Sequence, residues 1–256
     1  MTDQTPACIL NRPDGEQIAY HAYTGSGDSG VTVVFLGGFM SDMGGTKAVA
    51  LQEWAQARGQ AFVRFDYYGH GESSGAFAKG TISRWADDAI AVIDEVTEGP
   101  LVLVGSSMGG WVSLLAARAR PGRIAGFVGI APAPDFTEKL MWAGFPEKIR
   151  TRIMTEGRYE KPSDYDDGPY IISKALIEDG RDNQLLDAPI ALSCPVRILQ
   201  GMQDPDVPWQ HAFKLIDAIE SDDLEFTLIK AGDHRLSEPA DLARLTRTIE
   251  ALIEGL

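Results

Sequence analysis

The 256-residue chain has little of what would make it a disulfide-stapled, metal-holding or nucleic-acid-binding protein. Its two cysteines, Cys8 and Cys194, are too few for a disulfide framework and fit a reducing compartment, with both thiols expected in the core. Basic residues are scarce: 23 Lys and Arg stand against 37 Asp and Glu, a net charge of −14. Such a surface repels a phosphate backbone, so DNA and RNA are excluded as expected partners. No apolar run approaches the ~20 residues that span a bilayer, because the stretches 31–40 and 124–134 are short and broken by glycine. The opening residues, MTDQTP, hold no basic segment and lead into no apolar one, so no secretory leader is expected and the chain reads as cytoplasmic. Histidine occurs four times, as His21, His70, His211 and His234. No group of Cys, His or carboxylates has metal-ligand spacing, so neither a metal nor another cofactor is expected.

What is present is ordinary globular material, 44% hydrophobic, enough to build a core and to exclude disorder. Short β-rich runs alternate with helical ones. Strands are expected at 8–10, 17–23, 31–36, 61–65, 101–104, 124–130, 196–199 and 224–229. The first two flank RPDG at 12–15, where Pro presets φ and Gly takes φ > 0, so they predict an antiparallel hairpin at one edge. From residue 31 the strands are nearly continuous in Val, Ile, Leu and Phe, the composition of a parallel sheet covered on both faces. Apolar residues at helical spacing (Trp85, Ala89, Val92, Ile93, Val96; Met108, Trp111, Leu114, Leu115; Leu242, Leu245, Ile249, Leu252) supply the covering helices. The fold class is α/β: one domain over 1–256, a mostly parallel eight-stranded sheet with helices on both faces.

One stretch, 135–189, is too long for a βα connection. It carries Phe136, Trp142, Phe145, Tyr159, Tyr165 and Tyr170, so it predicts a small folded unit, a helical cap over the C-terminal edge of the sheet, where ligands bind in such folds.

The chemistry is announced by LVLVGSSMGGW at 101–111. A buried strand runs into Gly-x-Ser-x-Gly and then an amphipathic helix, the context of a nucleophile elbow. Ser107 is at its centre; a frame on Ser106 would need glycine at Val104 and Met108. A serine needs a base held by a third group. His234, in KAGDHR, follows the last strand, and Asp204, in GMQDPDVPW, follows the one before. Ser, Asp, His is the chain order of hydrolases with this elbow. Asp206 and Asp135 remain rivals for the acid. His70, between glycines in 66–71, is expected to shape its loop, with a role in lining the pocket left open. An oxyanion needs two N–H donors. The Met108 amide at the helix start is one, and the glycine turn at 37–40 supplies the other, Phe39 ahead of Met40. GSGDSG at 25–30 spells a dinucleotide-binding motif, but a strand follows it rather than a helix, so it is read as a loop.

These residues resemble the α/β-hydrolase superfamily over the whole chain. The segments 37–48 (GGFMSDMGGTKA), 64–71 (RFDYYGHG), 105–111 and 201–209 are similar to its branch of mitochondrial acyl-glucuronide esterases and palmitoyl-protein thioesterases. The resemblance implies hydrolysis of acyl esters or thioesters by Ser107, Asp204 and His234, in a cytosolic relative without the mitochondrial leader. Gly37-Gly38 stands where the superfamily often has His-Gly, which keeps the backbone donor. Substrate contacts are expected from Gly38, Met40, Trp142 and Phe145, with Lys148, Arg150, Arg152, Arg158 and Lys161 as candidate receivers of an anionic group, against the simpler account of a solvated charged face. The expected partner is a small acyl ester or thioester. Acyl transfer, C–C or peptide hydrolysis with the same residues, and a non-catalytic binding module, are the competing readings.

Overall fold

The computed structural model describes residues 6–26, 30–161 and 170–256; Tyr165, residues 27–29 of the glycine loop and residues 1–5 of the N-terminal reading lie outside them. Ten strands and seven α-helices follow one another along the described residues. The hairpin pairs β1 (Cys8–Asn11) with β2 (Gln17–Tyr23) antiparallel, Asn11 opposite Gln17, with Gly15 at φ 88° in the turn. Then come β3 (Thr32–Leu36), α1 (Thr46–Arg58), β4 (Phe62–Phe65), α2 (Ile82–Val96), β5 (Leu101–Ser106), α3 (Met108–Ala119) and β6 (Ile124–Ile130). After the insert, β9 (Val196–Gly201), α6 (Trp209–Ala218), β10 (Leu224–Ile229) and α7 (Pro239–Glu254) close the domain. The eight-stranded sheet has the order β1-β2-β4-β3-β5-β6-β9-β10. β2 pairs antiparallel with both neighbours, and every pair from β4 to β10 is parallel.

The strand period of two divides the core. On β5, Leu101 and Leu103 face Trp85, Ile93 and Trp111 of α2 and α3, whereas Val102 and Val104 face the layer of Leu51 from α1 and Leu245 and Ile249 from α7. All of β5 is buried, which explains its unalternated sequence. Cys194 is buried as expected, but Cys8 is exposed: it sits on the edge strand, where no helix covers its face. No helix among the described residues is long and apolar enough to cross a membrane.

The insert is not purely helical. It runs from a π-helical turn (Thr137–Trp142) through α4 (Glu147–Glu156) into a two-stranded antiparallel sheet, β7 (Arg158–Lys161) with β8 (Tyr170–Ser173), and ends in α5 (Lys174–Asp182). RYEK in β7 and YIIS in β8 do not alternate clearly between apolar and polar residues, so the sequence pattern does not mark them. Ile153, Ile172 and Ile177 form its own small core. Asp135 closes the unit at its base: at φ 58°, its carboxylate accepts the N–H groups of Leu185 and Leu186, at 2.8 and 3.0 Å.

Candidate active site

Ser107 lies between the end of β5 and the start of α3 at φ 53°, ψ −117°, a backbone conformation that costs an L-residue energy. Packing holds it there. The Ser107 N–H donates to the Ile130 carbonyl at 2.9 Å, and its carbonyl accepts from Ala133 and Gly110. A Cβ on Gly105 would collide with the Gly109 carbonyl, and one on Gly109 with the Leu36 carbonyl. The motif glycines are thus required by the close approach of helix to strand.

β9 and β10 are adjacent at the sheet's other end, so the loops that follow them open toward Ser107. His234 Nδ1 is 2.8 Å from Asp204 Oδ2, and its Nε2 is 3.1 Å from Ser107 Oγ. A carboxylate only accepts, so Nδ1 carries the proton and Nε2 presents a lone pair to the serine hydroxyl. The Asp204 carboxylate also accepts the N–H groups of Asp206 (2.9 Å) and Val207 (2.8 Å), and Nε2–H of the wholly buried Gln200 (3.0 Å). Of the rival acids, Asp135 is spent on the base of the insert, and Asp206 lines the pocket while giving its amide to Asp204.

The turn after β3 lies against the serine: a Cβ on Gly38 would sit 3.5 Å from Ser107 Cβ. Among the described residues, no acceptor takes the amides of Phe39 or Met108. The Met40 N–H is occupied, donating to His70 Nε2 at 3.3 Å. Of the two candidate donors in the turn, that leaves Phe39 free. His211 is buried with its Nε2 2.8 Å from the Pro134 carbonyl, a packing role, and burial lowers its pKa.

These groups open into a cavity of about 350 Å³, of small-molecule size. Gly38 and Met40 line it, and Trp142 and Phe145 do not. Trp142 stacks with Arg150 and Arg181, and Phe145 meets Tyr159, all within the insert. Phe136, Leu140, Met141 and Tyr170 are the insert's apolar lining. Of the candidate bases only Lys161 reaches the cavity; Arg152 pairs with Glu156, Arg158 with Glu160, and Arg150 bonds the Trp142 and Ala143 carbonyls. Lys47 and Arg235, unmarked in the sequence, line it instead. The Lys47 ammonium donates to the Arg235 carbonyl (2.5 Å), and burial lowers its pKa to about 8. Gln200 was equally unmarked, although a glutamine inside an apolar strand is a signal that could have found it. Among the described residues one set of potential metal ligands occurs, Asp204, Asp206 and His234, with donor atoms within 4.8 Å of one another. A cation there would have to displace the Asp204–His234 hydrogen bond.

Comparison with known proteins gives consistent matches. A family described as serine aminopeptidase, S33, matches residues 28–169. The mitochondrial palmitoyl-protein thioesterase ABHD10 of Mus musculus is 40% identical over 249 residues, 97% of this chain and 82% of its own length. A hydrolase from Agrobacterium vitis S4 superposes with a TM-score of 0.92 at 43% identity over 98% of both chains. Alpha/beta hydrolase domain-containing protein 10 from mouse does so with 0.89 at 39% identity, over 98% of this chain and 99% of its own.

Proposed function

The chain belongs to the α/β-hydrolase superfamily and is a serine hydrolase of acyl esters or thioesters; from that premise we propose that Ser107, His234 and Asp204 are its catalytic triad, with Phe39 and Met108 as oxyanion donors. Ser107 Oγ attacks the acyl carbon while His234 Nε2 takes its proton. The carbonyl oxygen, now anionic, is held by the two free amides. His234 then gives its proton to the leaving oxygen or sulfur, and the acyl-enzyme forms. Water, activated by the same imidazole, releases the acid and restores Ser107. Asp204 keeps the imidazole in the tautomer whose lone pair faces the serine.

The observation that carries this reading is the bridge made by one imidazole, 3.1 Å from Ser107 Oγ and 2.8 Å from the Asp204 carboxylate. The test is Ser107→Ala against a fluorophosphonate probe and a short-chain acyl ester. Wild type is labelled and turns over, and the variant is unlabelled and keeps only a residual ~10³- to 10⁴-fold advantage over water. Labelling of the variant at another residue overturns the assignment.

Phe39, Phe136, Leu140, Met141 and Val207 in the lining, and the thioesterase name of the mouse relative, support an apolar acyl chain on a thioester. Residues 135–189 act in this reading as a cap inserted in a single catalytic domain. We place the protein in the reducing cytoplasm on the ground of its two unpaired cysteines; recovery in another cell fraction would overturn that.

A further inference from the structure

The oxyanion turn contains a residue under strain. Met40 is in the left-handed region at φ 57° without being glycine, and such conformations persist only where the surroundings impose them. The Ser41 N–H closes the turn onto the Gly38 carbonyl at 3.1 Å. Its other restraint comes from a distant part of the chain, the loop 66–71. There the Met40 N–H donates to His70 Nε2, while His70 Nδ1 is 3.2 Å from the Tyr68 carbonyl. A carbonyl only accepts, so Nδ1 carries the proton and Nε2 is free to receive Met40.

His70 is itself fixed. It is buried, 4% exposed, and its ring meets those of Tyr67, Phe77 and Trp85 edge to face at 5.6, 5.1 and 5.3 Å. Two of these rings, Phe77 and Trp85, also pack against Phe39, at 4.9 and 5.9 Å. The side chain of Phe39 and the amide of Met40 are therefore registered on the same aromatic cage. The peptide unit between those two anchor points leads directly to the Phe39 amide. The bracket is completed by Asp66, whose carboxylate accepts the N–H groups of Met43 (2.6 Å) and Glu72 (2.8 Å) and so ties the two segments a second time.

Resting on the hydrolase reading above, we propose that His70 is a positioning residue for the oxyanion hole: its Nε2 lone pair captures the Met40 amide and thereby leaves the Phe39 amide aimed at the developing oxyanion. His70 touches no reacting atom. Its contribution is to the transition state, in which the oxyanion exists, and not to the ground-state ester, so its loss should change kcat and leave KM nearly unmoved.

The experiment compares wild type with His70→Leu, which fills space but accepts no hydrogen bond, and His70→Gln, whose Oε1 can accept from Met40. Each is assayed on one short-chain acyl thioester, with affinity for a trifluoromethyl ketone, which mimics the tetrahedral adduct, measured beside affinity for the carboxylic acid product. In His70→Leu, kcat should fall about 10- to 100-fold, short of the ~10²- to 10³-fold cost of deleting an oxyanion donor outright. Ketone affinity should fall by a similar factor while KM and product affinity change less than about threefold, and His70→Gln should regain most of the loss. Equal losses of ketone and product affinity, or no rescue by glutamine, overturn the proposal. If His70→Leu does not fold, His70→Gln decides: ketone affinity close to wild type upholds it, and ketone affinity lowered to the same extent as product affinity overturns it. Failure of the hydrolase reading is separately visible, as wild-type enzyme that turns over no ester or thioester in a Ser107-dependent way.

Discussion

The loops after β5, β9 and β10 and the described residues of the inserted segment face the same cavity but are held in opposite ways. In the floor, one buried carboxylate, Asp204, collects four donors, and the serine backbone is strained into place by hydrogen bonds and glycine contacts. In the insert, the small core of Ile153, Ile172 and Ile177 is accompanied by exposed ion pairs such as Arg152–Glu156 and Lys174–Glu178, which solvent screens. The floor concentrates its polar contacts on the proposed triad. The insert spends Trp142, Phe145 and Tyr159 on its own packing and turns Phe136, Leu140, Met141, Lys161 and Tyr170 to the cavity.

That contrast can be broken by substitution. The largest expected effect is at Asp204: Asn in its place presents an amide to His234 and disfavours the needed tautomer, so kcat should drop about 10⁴-fold. Asp206→Asn should lose less than about tenfold, and steady-state kinetics of the pair decide between the two acids; the reverse ranking would transfer the role to Asp206.

A smaller effect concerns acid stability. Burial lowers the His70 pKa to about 4 from 6.5. The folded state therefore favours neutral imidazole, and the stability this confers is complete above pH 6.5 and is lost as pH falls toward 4. The stake is on the order of 3 kcal/mol. Denaturant unfolding of wild type and His70→Gln at pH 7.5 and pH 4 should show the wild-type advantage shrinking by that order. Asp88 has the opposite sign, its carboxyl raised by burial to about 6, but it is common to both proteins and cancels in the difference. An advantage independent of pH would show that burial leaves the His70 pKa where it stands in the unfolded chain.

The smallest effect on rate is expected in the insert. Phe145→Ala should destabilise the protein by about 1–3 kcal/mol, less than a fully buried phenylalanine would cost, and lower Tm accordingly. It should change kcat/KM on a short acyl ester less than about threefold. A tenfold loss of activity at unchanged Tm would place Phe145 in the substrate path after all.

The eight strands of the main sheet, the hairpin edge and the covering helices were legible because each is specified by a periodicity or a turn within a few residues of chain. Ser107 was legible for the same reason, as a strand, an elbow and a helix in one short segment. The insert was seen only as a length anomaly with aromatics. Its hairpin β7–β8 escaped because RYEK and YIIS do not alternate clearly, and nothing local tells Trp142 and Phe145, which pack within the unit, from Phe136 and Tyr170, which line the cavity.

By itself the sequence determined the α/β class and the strand, elbow and helix around Ser107, the proposed nucleophile, since hydrophobic period, turn residues and elbow glycines act locally. Tertiary structure decided what depends on distance through space. His234 meets Ser107 across 127 residues, and His70 meets Met40 across 30. The Met40 amide is taken by His70 while that of Phe39 is not, and Lys47 and Arg235 rather than the insert's bases, save Lys161, line the cavity. These follow from the sheet order and from which side chains the two core layers bring within hydrogen-bond reach, and no local propensity encodes that.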